Sequence, residues 1–138
     1  MAGKKPWPKS GDRRTFEVKS LLPSGEGVSG RTRINNAFAG ERVVARIEQV
    51  GKHATFARTE SVECEHRGRR VPLCARHCDV IGGRCTGCAL MALEEDAQRE
   101  VLREMLSSQH GLEVDEVVAA PEALGYRWSA KRIAFGGP

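Results

Sequence analysis

The sequence predicts a mixed β + α protein: a small antiparallel β-barrel, then a cysteine-rich metal loop, one amphipathic helix and two strands. Three observations lead there. Short segments of alternating apolar and polar residues crowd into the first 65 positions between Gly-rich turns. Four cysteines follow within one stretch, "CARHCDVIGGRCTGC" (74–88). Beyond them the apolar spacing lengthens from every second residue to that of a helix.

The elements follow in order. "TFEVKSL" (15–21) sets Phe16 and Val18 against Glu17 and Lys19, which is a strand with one wet face. "LPSGEGVSG" (22–30) reads as turn, on Pro23, Gly25, Gly27 and Gly30. "ERVVARIEQV" (41–50) is a second strand, with Val43, Ala45 and Ile47 on one face and Arg42, Val44, Arg46 and Glu48 on the other. "HATFARTESVEC" (53–64) is a third. "ALMALEEDAQREVLREMLSS" (89–108) places Leu90, Leu93, Ala97, Val101 and Met105 in a helical stripe, with acids early, Arg103 late and Gly111 as the stop. "LEVDEVVAA" (112–120) and "GYRWSAKRIAF" (125–135) read as strands. The chain therefore divides into a basic flexible tail (1–14), a barrel (15–65), and a cysteine loop, helix and strand region (66–138). Because it stops directly after its last strand, it is expected to be part of a longer protein or a separately encoded portion of one.

Composition narrows the function. Of the 138 residues, 40% are hydrophobic and 29% charged, a soluble globular balance. No apolar run reaches the roughly 18 residues of a membrane span. The N-terminus "MAGKKPWPKSGDRR" lacks the apolar stretch of a secretory signal, so the expected location is cytoplasmic, with reduced thiols. Charge is uneven: residues 1–90 carry a net +8 and the last 48 a net −4. A basic front half suits a polyanion, and RNA is the expected partner, with neither membrane nor DNA. Lys4, Lys5, Arg13 and Arg14 in the tail, and Arg42, Arg46, Lys52 and Arg58 on the strand faces, are the candidate phosphate contacts. Trp7, in "KPWPK", either stacks on a base or belongs to a disordered tail, and the tail reading is favoured.

The cysteines run Cys74-x3-Cys78-x6-Cys85-x2-Cys88, with Cys64 upstream. A nucleophile needs one activated thiol and a base rather than four crowded thiols. Disulfides need an oxidising compartment, for which there is no signal. Metal binding remains, by Cys78, Cys85 and Cys88 with Cys74 as fourth ligand and Cys64 outside the set. The single Cys-x2-Cys and the glycines Gly82, Gly83 and Gly87 suit an iron–sulfur loop, but spacing alone leaves zinc open. His66 and His77 could add to the ligands, but a lone histidine beside a cysteine loop is more often exposed.

Two stretches resemble the RNA uracil-5 methyltransferases, which act on ribosomal or transfer RNA. "EVKSLLPSGEGVSG" followed by "NAFAGERVVARI" is similar to their TRAM domain, an OB-like RNA-binding barrel. Its Gly-x-Gly-Val turn is matched by Gly25, Gly27 and Val28, and its Pro-Gly-Glu corner by Ala39, Gly40 and Glu41. "CDVIGGRCTGCALMALEEDAQREVLREML" resembles the family's iron–sulfur loop and following helix, and "GYRWSAKRIAF" its next strand. The family loop runs Cys-x5-Cys-Gly-Gly-Cys; here the first gap is six and Thr86-Gly87 replaces Gly-Gly. The resemblance implies a 4Fe-4S cluster on Cys78, Cys85 and Cys88; the family's fourth cysteine normally comes well downstream, and Cys74 is expected to take its place here. It implies that S-adenosylmethionine (SAM) and the catalytic cysteine belong to a methyltransferase domain not contained in these residues, either a continuation of the chain or a separately encoded partner. The chain alone is expected to be inactive. The alternative is a free-standing zinc-stabilised RNA-binding protein.

Overall fold

The computed structural model describes residues 6–122, 124 and 125. Its strands are β1 (Arg13–Glu17), β2 (Ser20–Leu21), β3 (Gly27–Ser29), β4 (Thr32–Asn35), β5 (Arg42–Val50) and β6 (Thr55–Cys64), followed by helix α1 (Glu95–His110). All six strands form one sheet in the order β1-β5-β6-β4-β3-β2. Both edge strands belong to one continuous stretch of chain, bent at Val18 and Lys19. Val18 N–H donates to Glu41 O at 2.9 Å and Lys19 N–H to Val28 O at 2.8 Å, so the bend is tied to both ends of the sheet. The sheet therefore curls into a half-barrel. Register shifts between β5 and β6 at Arg42/Val43, Val44/Ala45 and Ile47/Gln49 supply the bulges that bend these two long strands.

The period-two pattern drives burial. Val43, Ala45 and Ile47 of β5 all point inward and join Val18, Ile34, Ala37 and Ala57 in the barrel core, with Phe16 and Val62 packed against it. Gly27 is required where β3 passes the corner: a Cβ there would sit 2.6 Å from Ala37 O and 2.8 Å from a Val18 methyl carbon. A second cluster, Leu21, Phe38, Ala92, Leu93 and Ala97 with Leu90 and Val101, fastens the segment after the cysteines to the barrel's end.

Several sequence expectations need correction. The sheet is not wholly antiparallel, because β4 pairs with β6 in parallel, Thr32 opposite Thr55 through Asn35 opposite Arg58. β3 lies inside the stretch read as turn, and β4 was not predicted; strands of three and four residues are too short to show a period. The helix begins at Glu95 rather than 89, since Leu90 and Leu93 serve the second core from an irregular turn in which Leu93 N–H donates to Leu90 O at 2.9 Å. Gly111 closes the helix in the left-handed region at φ 61°, with its N–H on Ser107 O. Residues 112–120 are not a strand. Among the described residues no neighbouring strand offers them a ladder; Arg103 Nε instead donates to Val114 O at 2.9 Å, and Val118 is exposed. The strand expected over 125–135 lies outside the described residues except for Gly125. No helix among the described residues is long and apolar enough to cross a membrane.

Candidate RNA interface and cysteine segment

The outward residues of β1, β5 and β6 bring Arg13, Arg42, Arg46 and Arg58 onto one curved face, but that face is not freely basic. Arg13 Nε lies 2.6 Å from Glu60, Arg42 Nε 3.0 Å from Glu63, and Arg58 Nε 3.3 Å from Glu48. Arg46 stands 4.0 Å from the same Glu60. Arg14 turns to Asp12 at 3.4 Å and to Pro6 O at 2.9 Å. The backbone N–H of Lys9, then the Arg14 guanidinium, holds the Asp12 carboxyl below its ordinary range. Arg13, Arg42, Arg46 and Arg58 thus each have a carboxylate across the sheet, in pairs that are half exposed and weak. Lys4 and Lys5 lie outside the described residues.

Two arginines that the sequence reading passed over behave differently. Arg31 and Arg33 flank Thr32 on and beside β4 and have no carboxylate within ion-pair distance among the described residues. Lys52 shares that condition. The Arg33 guanidinium lies 5.8 Å from the Phe56 ring centre and that of Arg31 6.0 Å from Trp7. The alternation in "GRTRIN" was the available signal.

The cysteine segment is fixed to the barrel by a polar network. Glu41, 1% exposed, receives four donors: Phe38 N–H at 2.9 Å, His66 N–H at 3.0 Å, and Arg69 Nε and Nη2 at 2.8 and 2.9 Å. Arg69 also reaches Asp79 at 3.0 Å and Asn36 O at 3.1 Å, and its guanidinium covers the Phe38 ring at 4.9 Å. Asn36 adopts φ 57°, a conformation asparagine tolerates, and its amide donates to Asp79 at 2.7 Å. Burial lowers the Arg69 pKa, but the hydrogen bonds and charge of Glu41, then Asp79, outweigh it and hold the guanidinium above its usual value. Asp79 adjoins Cys78, so this chain of contacts runs from the barrel corner to the first cysteine of the x6 spacing.

Inside the segment, His77 is buried and uses both ring nitrogens on backbone. Nδ1 accepts from Asp79 N–H at 3.1 Å, which leaves Nε2 protonated to donate to Cys88 O at 3.0 Å. In this arrangement neither ring nitrogen has a free lone pair and His77 braces the loop; it is buried, where the sequence suggested an exposed histidine. Cys78 N–H donates to Cys85 O at 2.9 Å, setting those two residues side by side. Gly83 permits the return of the loop, since a Cβ there would meet His77 O at 1.9 Å. None of the five cysteines is paired in a disulfide among the described residues. Burial, then the charge of Asp79, pushes the Cys78 thiol up, the opposite of what a nucleophile needs. Cys78, Asp79 and Arg69 line a groove of about 350 Å³ against β6. The donors are chemically suited to a thiolate-bound metal, yet among the described residues no three His, Cys, Asp or Glu side chains converge into a metal-holding group.

No family model matches the chain. Among curated proteins it is similar to the 23S rRNA (uracil(1939)-C(5))-methyltransferase RlmD of Halomonas elongata, 33% identical over 130 aligned positions that cover 86% of this chain and 26% of the relative. It is 32% identical to the Chromohalobacter salexigens protein of the same name, over 84% of this chain and 25% of that one. An uncharacterized RNA methyltransferase of Listeria monocytogenes is 34% identical over 67% of the chain and 19% of the relative. Among solved structures, a Pyrococcus abyssi tRNA (uracil-54, C5)-methyltransferase, determined with S-adenosyl-L-homocysteine, superimposes with a TM-score of 0.54 at 24% identity, over 78% of this chain and 24% of that one. The chain thus spans about a quarter or less of the length of these relatives. With several RNA uracil-5 methyltransferases aligned along most of its length, the chain belongs to the RNA uracil-5 methyltransferase family.

Proposed function

We propose that these residues are the RNA-gripping and metal-carrying portion of an RNA uracil-5 methyltransferase. The observation that carries this reading is the similarity to 23S rRNA uracil methyltransferases across most of the chain. The half-barrel, read as a TRAM domain, holds ribosomal or transfer RNA so that a catalytic portion outside these residues reaches a uridine. SAM, and the recognition of a base turned out of its stack, belong to that portion.

In this reading Cys78, Cys85 and Cys88, with Cys74, take a 4Fe-4S cluster. Their crowding in a Gly-rich loop supports it, as does the backbone bond that sets Cys78 beside Cys85. Loading requires the thiol side chains to turn toward one another. When bound, the cluster cross-links the loop; Arg69, Asp79 and His77 hold its backbone in place for that. Anaerobic purification followed by iron, sulfide and zinc analysis tests the assignment. Iron and sulfide should be present, should be lost in Cys85→Ser, and should be unchanged in Cys64→Ser. Zinc without sulfide would favour the zinc-stabilised alternative, and free thiols with neither metal would reject the site. Labelled SAM incubated with uridine-containing RNA should give no incorporation by this chain alone.

A further inference from the structure

We infer that the outer row Trp7, Arg31, Arg33 and Phe56 is a stacking site for unpaired bases of single-stranded RNA, with Lys52 beside it as a phosphate contact. The inference rests on the RNA-binding reading and moves the grip away from the face that holds Arg42 and Arg46.

Strand alternation puts Arg31 and Arg33 on one side of β4, because Thr32 and Ile34 between and after them are buried at 9% and 0% exposure. Arg33 is in register with Phe56 on the parallel neighbour β6. Arg31 donates to Lys52 O and so draws the β5–β6 turn to the same place. Two arginine–aromatic pairs therefore share one outward surface.

Two independent features mark this surface. Trp7 is 77% exposed and takes part in neither core cluster, so core packing does not explain its position over Arg31. Among the described residues Arg31, Arg33 and Lys52 have no carboxylate within ion-pair distance, whereas Arg13, Arg42, Arg46 and Arg58 all face glutamates. Aromatic faces and guanidinium planes are the groups on which splayed bases stack, and unpaired cations are what phosphates displace counterions to reach. A duplex keeps its base faces covered and offers such a row only its backbone.

The test uses the whole chain in a Trp128→Phe background, so that Trp7 is its only tryptophan. It is titrated with a short oligouridine, with an RNA duplex of equal length and with a polyglutamate peptide of equal charge, at two salt concentrations. Oligouridine should quench Trp7 fluorescence and bind more tightly than duplex or peptide. Read by anisotropy of the labelled oligomer, Trp7→Ala should weaken it about tenfold. Arg31→Gln with Arg33→Gln should flatten the salt slope by roughly 1.4, two phosphates' worth. Arg42→Gln with Arg46→Gln, an equal loss of charge, should stay within about twofold, since those side chains are already paired. Circular dichroism melts confirm that each variant is folded; Trp7 lies outside the core and its removal leaves the melt in place. Oligouridine bound normally by the Trp7 and Arg31/Arg33 variants but lost by the Arg42/Arg46 variant overturns this site while RNA binding stands. Equal binding of peptide or duplex overturns it as well. Absence of any RNA binding by the parent chain removes the site and the RNA reading together.

Discussion

The half-barrel and the cysteine segment are neighbours held by different forces. The barrel has an apolar interior in which Ile34, Val43 and Ala45 are fully buried. The cysteine segment exposes its larger apolar residues, Val71 at 80%, Leu73 at 54% and Ile81 at 103%. What orders it is backbone turns, the His77 brace and one buried arginine. Apolar burial is non-directional and tolerates small changes in shape. A buried ion pair is directional, and losing one partner leaves the other charge uncompensated. The difference teaches where each region is fragile: the barrel to lost volume, the cysteine segment to lost charge.

The largest effect should come from cutting the link. Arg69→Met leaves Glu41 buried beside two backbone donors only, and should lower stability by about 3–5 kcal/mol in denaturant melts. Hydrogen exchange should then show residues 66–80 opening while β5 and β6 keep their protection. Uniform loss across both regions would erase the distinction drawn here. Next, Ile34→Ala should cost about 2–5 kcal/mol through the cavity it leaves, and its exchange pattern should be the reverse, with the sheet opening as a unit. The smallest effect belongs to His77→Ala, which strands Asp79 N–H and Cys88 O at about 1–3 kcal/mol of local order. Thiol-reagent kinetics should show Cys78 and Cys88 reacting faster while the barrel's melting temperature holds. Unchanged thiol rates would show that the histidine merely fills space.

Arginine makes the same contrast within one residue type. Arg69 is 5% exposed and spends its donors on Glu41, Asp79 and Asn36. Arg42, half exposed, shares a single carboxylate with water. Arg33 lies over the Phe56 ring, with no carboxylate within ion-pair distance among the described residues. A linear reading of charge counts the three alike, and so it assigned the phosphate face to arginines that the folded sheet has already paired. It had no way to see that Glu48, Glu60 and Glu63 return to them across β5 and β6, because those partners lie up to 47 positions away in the chain.

What the sequence determined by itself is what local chemistry dictates. Period-two burial located β1, β5 and β6, since alternate residues of a strand must face opposite sides. Gly111 ended the helix because glycine enters the left-handed region without strain. The crowding of Cys74, Cys78, Cys85 and Cys88, and the likeness of the two motifs to the methyltransferase family, were legible before any fold was known. Tertiary structure decided the rest. Strands as short as β3 and β4 hold their place only through neighbours, and the parallel pairing of β4 with β6 is a long-range choice. Leu90 and Leu93 have helical spacing but were claimed by the second core. Residues 112–120 have strand composition but pair with no strand among the described residues. Glu41 reads as the polar first residue of a strand until Arg69 arrives from 28 positions away and makes it the anchor of the cysteine segment. Each of these outcomes turns on which distant group occupies the space next to a residue, and that is settled only when the chain closes on itself.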